Sequence, residues 1–153
     1  MTASLTQDLN IVLKGQDYFE KFLLSNTAAQ QVYKGMAMVI SQGSDSTHVI
    51  IADGYSMQTN DVFVGIAAGQ ASIANGAAMT QYVQVYTWPS IVGFVNSGSL
   101  TDASIGKTYY VSSYSATGQT LTVSTGAYPI IGTLFRVENG YAFFIISMPW
   151  IHG

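Results

Sequence analysis

Residues 131–148 read IGTLFRVENGYAFFIISM, two apolar runs separated by Asn139-Gly140. Asn-Gly favours a type I′ turn because both central residues of that turn need a positive φ. The spacing therefore predicts a β-hairpin in which residues 131–137 pair with residues 141–148. Both faces of the second strand are apolar, so we expect one on the core and the other against a second layer or a partner. The faces hold Tyr141, Phe143 and Ile145, and Ala142, Phe144 and Ile146.

The chain from residue 32 onward has the same β character. Short runs of Val, Ile, Tyr and Phe are punctuated by Gly, Ser and Thr, and Asn75-Gly76 is a further turn signal. No long helix separates these runs, so we expect an all-β fold, a compact antiparallel β-barrel or sandwich. The predicted strands are residues 35–40, 48–52, 62–67, 81–86, 108–112 and 120–123.

Residues 1–30 differ from the β domain predicted over residues 31–153. Asp17 suits a helix N-cap, with Glu20 three residues further on. Two apolar pairs with four-residue spacing would share one helix face, Tyr18 with Phe22 and Phe19 with Leu23. We therefore predict an N-terminal arm with a short helix in residues 17–24, docked on its own domain or on a neighbour. An ordinary helix packed on the core is the alternative.

The charge content is low. Only 8% of the residues are charged, against about 25% in an average soluble protein. This indicates that other protein subunits cover much of the surface, although Ser, Thr, Gln and Asn side chains offer an alternative way to solvate it. The net charge is −3 and the five basic residues are scattered, so we expect no nucleic-acid partner.

Membrane insertion and secretion are not predicted. The most apolar run, residues 141–151, is shorter than the ~20 residues of a spanning helix and contains Pro149. The N-terminus, MTASL, lacks the basic start and apolar core of a signal peptide. We expect the chain to be made in a cytoplasm, or used in a particle assembled there.

The search for catalytic chemistry returns little. The chain has no cysteine, which excludes disulfides, thiolate zinc sites and cysteine nucleophiles. His48 lies near Asp45 and Asp53 in sequence, but that spacing fixes no ligand geometry, and a solvated loop histidine is the better interpretation. We predict no enzyme, no catalytic residue, no metal site and no cofactor. The enzyme alternative is a hydrolase whose pocket holds at least two of Asp45, Asp53, Asp61 and His48.

Aromatic residues carry the stronger signal, with ten Tyr, seven Phe and two Trp. Tyr and Trp are enriched at protein interfaces, and they also occur on sugar-binding surfaces. A glycan-binding virion surface or fibre-base module that uses Trp88 or Trp150 is therefore an alternative function. The predicted protein-interface residues are Tyr18, Phe19, Phe22, Trp88, Phe144 and Trp150.

Residues 32–148 resemble a known family in their pattern of strands and glycines. Residues 61–67, DVFVGIA, precede an Ala-rich stretch with a Gly turn and then Tyr82-Val83-Gln84-Val85. Residues 105–111, IGKTYYV, are followed by Gly118, by residues 121–123 and by residues 131–133. This pattern is similar to the head decoration (cement) proteins of tailed phages, of the lambda type.

The resemblance implies a function as well as a fold. Family members carry a small β-tulip-like domain and commonly sit as homotrimers at three-fold and quasi-three-fold sites on the outside of a mature capsid. Their partner is the major capsid protein, and an N-terminal segment often becomes ordered on the shell. Residues 1–30 match that arm in position. The implied location is the capsid exterior of a virion assembled in the host cytoplasm.

Overall fold

The computed structural model describes residues 2–6, 12–13, 15–27, 29–40, 48–51, 62–95, 100–115, 118–122, 130–147 and 150–151. Within these ranges the chain is mostly β-strand, with no α-helix and one 3₁₀ helix, Asp102–Ser104. The strands are β1 (Thr2–Thr6), β2 (Val12–Leu13), β3 (Phe19–Leu24), β4 (Gln30–Val32), β5 (Ala37–Ile40), β6 (His48–Ile51), β7 (Val62–Ala67), β8 (Ala71–Ile73), β9 (Tyr82–Tyr86), β10 (Ile91–Val95), β11 (Thr108–Ser115), β12 (Gly118–Thr122), β13 (Ile130–Glu138), β14 (Tyr141–Ile146) and β15 (Trp150–Ile151).

Two large sheets make up the fold. One has the order β1-β12-β11-β13-β14-β10-β2, the other has the order β15-β7-β5-β6-β3-β9, and β4 pairs with β8 in a small third sheet. β7 also pairs with β9, so the six-stranded sheet curls on itself. All the described pairs are antiparallel except β3–β6. The chain is therefore all-β, as predicted, and of the two architectures considered the sandwich is the one that the sheets resemble.

Two hydrophobic cores hold the sheets. The first lies between them, where side chains of β5 and β7 meet those of β10, β11, β13 and β14, among them Phe63, Ile66, Phe94, Leu134 and Phe144. The second is built from residues such as Leu24, Met38, Val49, Val83 and Val85, and fills the curl of the six-stranded sheet. β7 serves both cores, which explains why residues 63–67 are buried on both faces.

The predicted Asn139-Gly140 hairpin is present. Asn139 has a φ of 53° and Gly140 a φ of 79°, as a type I′ turn requires, and Glu138 pairs with Tyr141 across it. The inner face of β14 carries Ala142, Phe144 and Ile146 into the first core. Phe143, on the outer face, lies opposite Gly93 of β10. A glycine leaves room for an aromatic ring from the neighbouring strand.

Several other predicted strands are also confirmed. β5 and β6 correspond to the predicted strands 35–40 and 48–52, and they pair with Met38 opposite Ile51, while residues 41–47 between them lie outside the described residues. β11 and β12 overlap the predicted strands 108–112 and 120–123 and pair with each other, and residues 116–117 between them also lie outside the described residues. Gly76 adopts a φ of 75° in the predicted turn.

The predicted helix in residues 17–24 is wrong. Phe19–Leu24 forms β3, which pairs antiparallel with β9 and parallel with β6. Aromatic side chains four residues apart fit one helix face, but the same segment also alternates, with Phe22 and Leu24 facing the second core. Six residues are too few for helical spacing to prevail over pairing with two neighbouring strands, so tertiary contacts decide.

The described strands of residues 1–30 pair with strands from the rest of the chain. β1 pairs with β12 and β2 pairs with β10 in the seven-stranded sheet, whereas β3 belongs to the six-stranded sheet. The boundary predicted at residue 30 falls where β4 begins, and an arm docked on its own domain stays a prediction.

Candidate functional site

An exposed tryptophan lies on a constrained turn between β9 and β10. The Ser90 backbone N–H donates to the Thr87 carbonyl across the turn at 2.9 Å, and the Trp88-Pro89 peptide bond is cis. Trp88 is 48% exposed, whereas Ser90 is fully buried. The turn thus exposes the side chain of Trp88 at the surface, while Ser90, at the end of the turn, is buried in the interior.

The beginning of β3 is joined to this turn by three hydrogen bonds. The Ser90 hydroxyl accepts from the Tyr18 backbone N–H at 2.8 Å and donates to the Tyr18 carbonyl at 3.0 Å. The Thr87 backbone N–H also donates to the Tyr18 carbonyl, at 2.8 Å. These contacts place the side chains that follow Tyr18 next to Trp88.

A cleft of about 250 Å³ opens beside Trp88, lined by Glu20, Phe22, Val64, Thr87 and Trp88. We call it the Trp88 cleft. Glu20 and Phe22 are two residues apart on β3 and therefore share a face. Phe22 packs against the second core and Val64 belongs to it, so the cleft is the place where that core reaches the surface. The lining is an apolar floor with one carboxylate and one indole.

A second cleft, of about 290 Å³, also has Trp88 in its wall. Its other lining residues come from the ends of β11, β13 and β14, namely Thr108, Gly132, Thr133, Ile145, Ile146 and Ser147. Trp88 therefore separates two concave surfaces. A half-exposed aromatic with room on both sides offers a large apolar contact area at small cost in side-chain entropy.

The face of the β3–β9 pair opposite to Glu20 and Phe22 also carries exposed aromatic side chains. Phe19 lies opposite Tyr86, and Leu23 lies opposite Tyr82. Phe19 is 52% exposed and Tyr82 is 60% exposed. Exposed aromatic side chains of this size are a feature that protein contact surfaces share.

Two of the six predicted interface residues, Phe22 and Trp88, line the same cleft. The Tyr18 backbone is bonded to the turn, and Phe19 begins β3 on the face opposite to Phe22. The prediction for Phe144 is wrong: it is 1% exposed and its ring packs edge-on against Phe94 and Tyr109 in the first core. The backbone of Trp150 pairs with Phe63, and the Trp150 side chain lies outside the described part.

Two further exposed residues, Tyr82 and Glu20, are not among the predicted interface residues. Tyr82 carried a readable signal, because Val83 and Val85 alternate with it and must face inward. Glu20 was interpreted as part of a helix start, and its position at the cleft follows only from the strand that replaces that helix.

The described residues hold little catalytic chemistry. They contain no group of three or more His, Asp or Glu that could bind a metal ion. His48 begins β6, while Asp45, Asp53 and Asp61 lie outside the described residues. Burial, with a smaller contribution from the Asp17 carboxylate, raises the pKa of Tyr86. No helix in the described ranges is both long and apolar enough to cross a membrane.

Comparisons with protein-family models, curated proteins and solved structures gave no match to this chain.

Proposed function

We propose that this chain is a non-catalytic structural protein that binds other protein subunits through the surface around Trp88. The observation that carries the proposal is a half-exposed tryptophan, fixed on a hydrogen-bonded turn, beside an apolar cleft and an exposed Phe19. Tryptophan and tyrosine dominate the energetic centres of protein interfaces, where they fill pockets on the partner or frame them.

Among structural proteins, a capsid decoration protein is the form we propose. It is supported by the resemblance of residues 32–148 to tailed-phage cement proteins and by the 8% charge content. In this proposal the domain is of the β-tulip-like type, forms a homotrimer and binds the major capsid protein at three-fold and quasi-three-fold sites on the virion exterior. The N-terminal segment contributes to the capsid contact through Tyr18, Phe19 and Phe22.

The action of such a protein needs no bond to be made or broken. A protein that binds the mature capsid lattice better than its alternatives stabilises that lattice by mass action. One trimer that touches several capsid subunits gains from multivalency, so each single contact can be modest. The constrained Trp88 turn reduces the ordering cost of each contact, because its backbone is already fixed before binding.

Co-sedimentation with mature, undecorated capsids tests this proposal, with unexpanded shells as the control. We expect saturable binding to the mature shells only, with a fixed copy number per three-fold site. Trp88→Ala should weaken binding at least about tenfold, as expected for an interface hot spot. Met79→Ala is the matched control, because Met79 is an exposed apolar residue outside both clefts. Absence of binding to either shell contradicts the decoration function.

A glycan-binding module is the second candidate, because one exposed tryptophan borders two clefts. Sugar rings stack on such aromatic side chains, and Thr108, Thr133 and Ser147 supply hydroxyls in the second cleft. A glycan array separates the two functions. Binding of the wild type to a defined sugar, lost in Trp88→Ala and without any binding to shells, would replace the decoration function with this one.

A further inference from the structure

We propose that the Trp88 cleft receives a basic side chain, arginine or lysine, from the partner protein. This inference rests on the proposed function, because it names the chemistry by which the partner is recognised. The cleft joins an indole, a carboxylate and an apolar floor within about 250 Å³. Arginine and lysine are the side chains that combine a long aliphatic stem with a terminal cation.

The walls of the cleft match the two parts of such a side chain. Phe22 and Val64 form apolar surface at the edge of the second core, where an aliphatic stem packs. Trp88 and Glu20 lie on the same cleft, where a cation meets the π-face of an indole and a negative charge. Tryptophan is the best aromatic partner for a cation, and a guanidinium also stacks on it.

The chain itself places no basic group against Glu20 within the described strands. On β9 the residue opposite Glu20 is Val85. Lys21 follows Glu20 directly and so points to the other face of β3, where Gln84 is its partner. Glu20 is exposed, and the whole chain carries a net charge of −3. A cation from outside therefore meets complementary charge at this site.

A sugar fits the same cleft less well. Recognition of a sugar ring needs several polar groups that converge on its hydroxyls. The Trp88 cleft offers the Glu20 carboxylate and the Thr87 hydroxyl, with apolar residues as the rest of its lining. One acidic group above an apolar floor matches one cation on an aliphatic stem.

The test uses the full chain and small probes, so it does not depend on a capsid. The protein has two tryptophans, so we expect two indole N–H signals by NMR, and comparison with Trp88→Phe assigns them. N-acetyl-arginine amide is titrated against isosteric, neutral N-acetyl-citrulline amide, with glucose as a third probe. We expect a saturable shift of the Trp88 signal with the arginine probe, with a Kd on the order of 10 mM, and none with citrulline.

Glu20→Gln isolates the charge. The substitution keeps the shape of the side chain, and we expect it to weaken arginine binding about threefold to fivefold, which is the scale of one exposed ion pair. Glu138→Gln is the matched control, because Glu138 is a surface acid of β13 outside both clefts. In the wild type, raising the salt concentration should weaken arginine binding by a similar factor.

The outcomes separate this inference from the proposed function. Equal shifts with arginine and citrulline, an undiminished affinity in Glu20→Gln, or a response to glucose alone would overturn the basic-side-chain assignment. Arginine binding by a protein that does not sediment with capsids would keep the cleft assignment and reject the decoration function. If the Glu20→Gln variant binds capsids as tightly as the wild type does, the decoration function stands. The Trp88 cleft is then not the site that receives a basic side chain of the capsid.

Discussion

The Ser90 hydroxyl bonds both backbone polar groups of Tyr18, accepting from its N–H at 2.8 Å and donating to its carbonyl at 3.0 Å. The two residues are 72 positions apart in sequence, and Ser90 is fully buried. The Ser90 side chain thus makes the two hydrogen bonds that the backbone of a neighbouring strand would otherwise make to Tyr18. It joins the entry of β3 to the turn that presents Trp88, so fold and candidate site share this contact.

Ser90→Ala should lower the free energy of unfolding by about 1–3 kcal/mol, because it leaves the Tyr18 N–H without its buried acceptor. It should also weaken binding at the Trp88 surface by releasing the start of β3 from the turn. Chemical denaturation measures the first effect and the capsid assay the second. Ser72→Ala, at an exposed serine of β8, is the control and should change little. Equal stability of the two variants would contradict the role given to Ser90.

Gly65 is required where the six-stranded sheet curls. Its φ is +151°, and a Cβ there would meet the Tyr86 carbonyl and lie 2.8 Å from Val85 Cγ1. Gly65→Ala should therefore destabilise the protein by about 2–5 kcal/mol, since backbone strain and steric overlap add. Gly69→Ala is the control, because a Cβ at Gly69 meets nothing within 4 Å. Thermal unfolding that shows similar Tm values for both variants would contradict this account of the curl.

Phe144 and Phe135 form a matched pair of phenylalanines on adjacent strands, one buried and one 37% exposed. Phe144→Ala should cost about 3–5 kcal/mol of unfolding free energy, because it empties a core site between Phe94 and Tyr109. Phe135→Ala removes a ring over which the Arg136 guanidinium lies at 5.2 Å, and should cost about 1 kcal/mol or less. A small loss for Phe144→Ala, measured by denaturant unfolding, would reopen the interface role predicted for it.

Local signals predicted the strands whose structure is fixed by local chemistry. Asn139 and Gly140 both need positive φ, which few other residue pairs tolerate, so the hairpin was readable from two positions. Val83 and Val85 alternate with Tyr82 and Gln84, and this alternation is the signal that predicts β9. These features depend on neighbouring residues alone, and the sequence displays them directly.

Features that depend on distant partners were predicted wrongly. The segment 17–24 satisfies helical spacing as well as strand alternation, and only pairing with β9 and β6 selects the strand. Likewise both faces of β14 are apolar, so the side on which the other sheet packs decides whether Phe143 or Phe144 enters the core. The sequence predicted part of the aromatic residues of the site. It did not predict Glu20, which lines the cleft because residues 19–24 form β3 and not a helix.

Tyr86 should make the protein sensitive to alkaline pH. Burial, and to a smaller extent the Asp17 carboxylate, raise its pKa above the ordinary value of 10.0. In the unfolded chain the phenol ionises near that ordinary value, whereas in the folded protein it keeps its proton to higher pH. The stabilisation that comes from the neutral Tyr86 phenol is therefore fully present below about pH 10, and it falls as the pH rises from there through the pKa of the folded state.

Tyr86→Phe removes this pH-dependent contribution to stability and keeps the ring that packs against the first core. We expect the unfolding free energy of Tyr86→Phe to decline less steeply than that of the wild type between about pH 9 and pH 11. Tyr82→Phe, at an exposed tyrosine of the same strand, is the control and should follow the wild type. Parallel curves for wild type and Tyr86→Phe would show that Tyr86 does not contribute to the alkaline loss of stability.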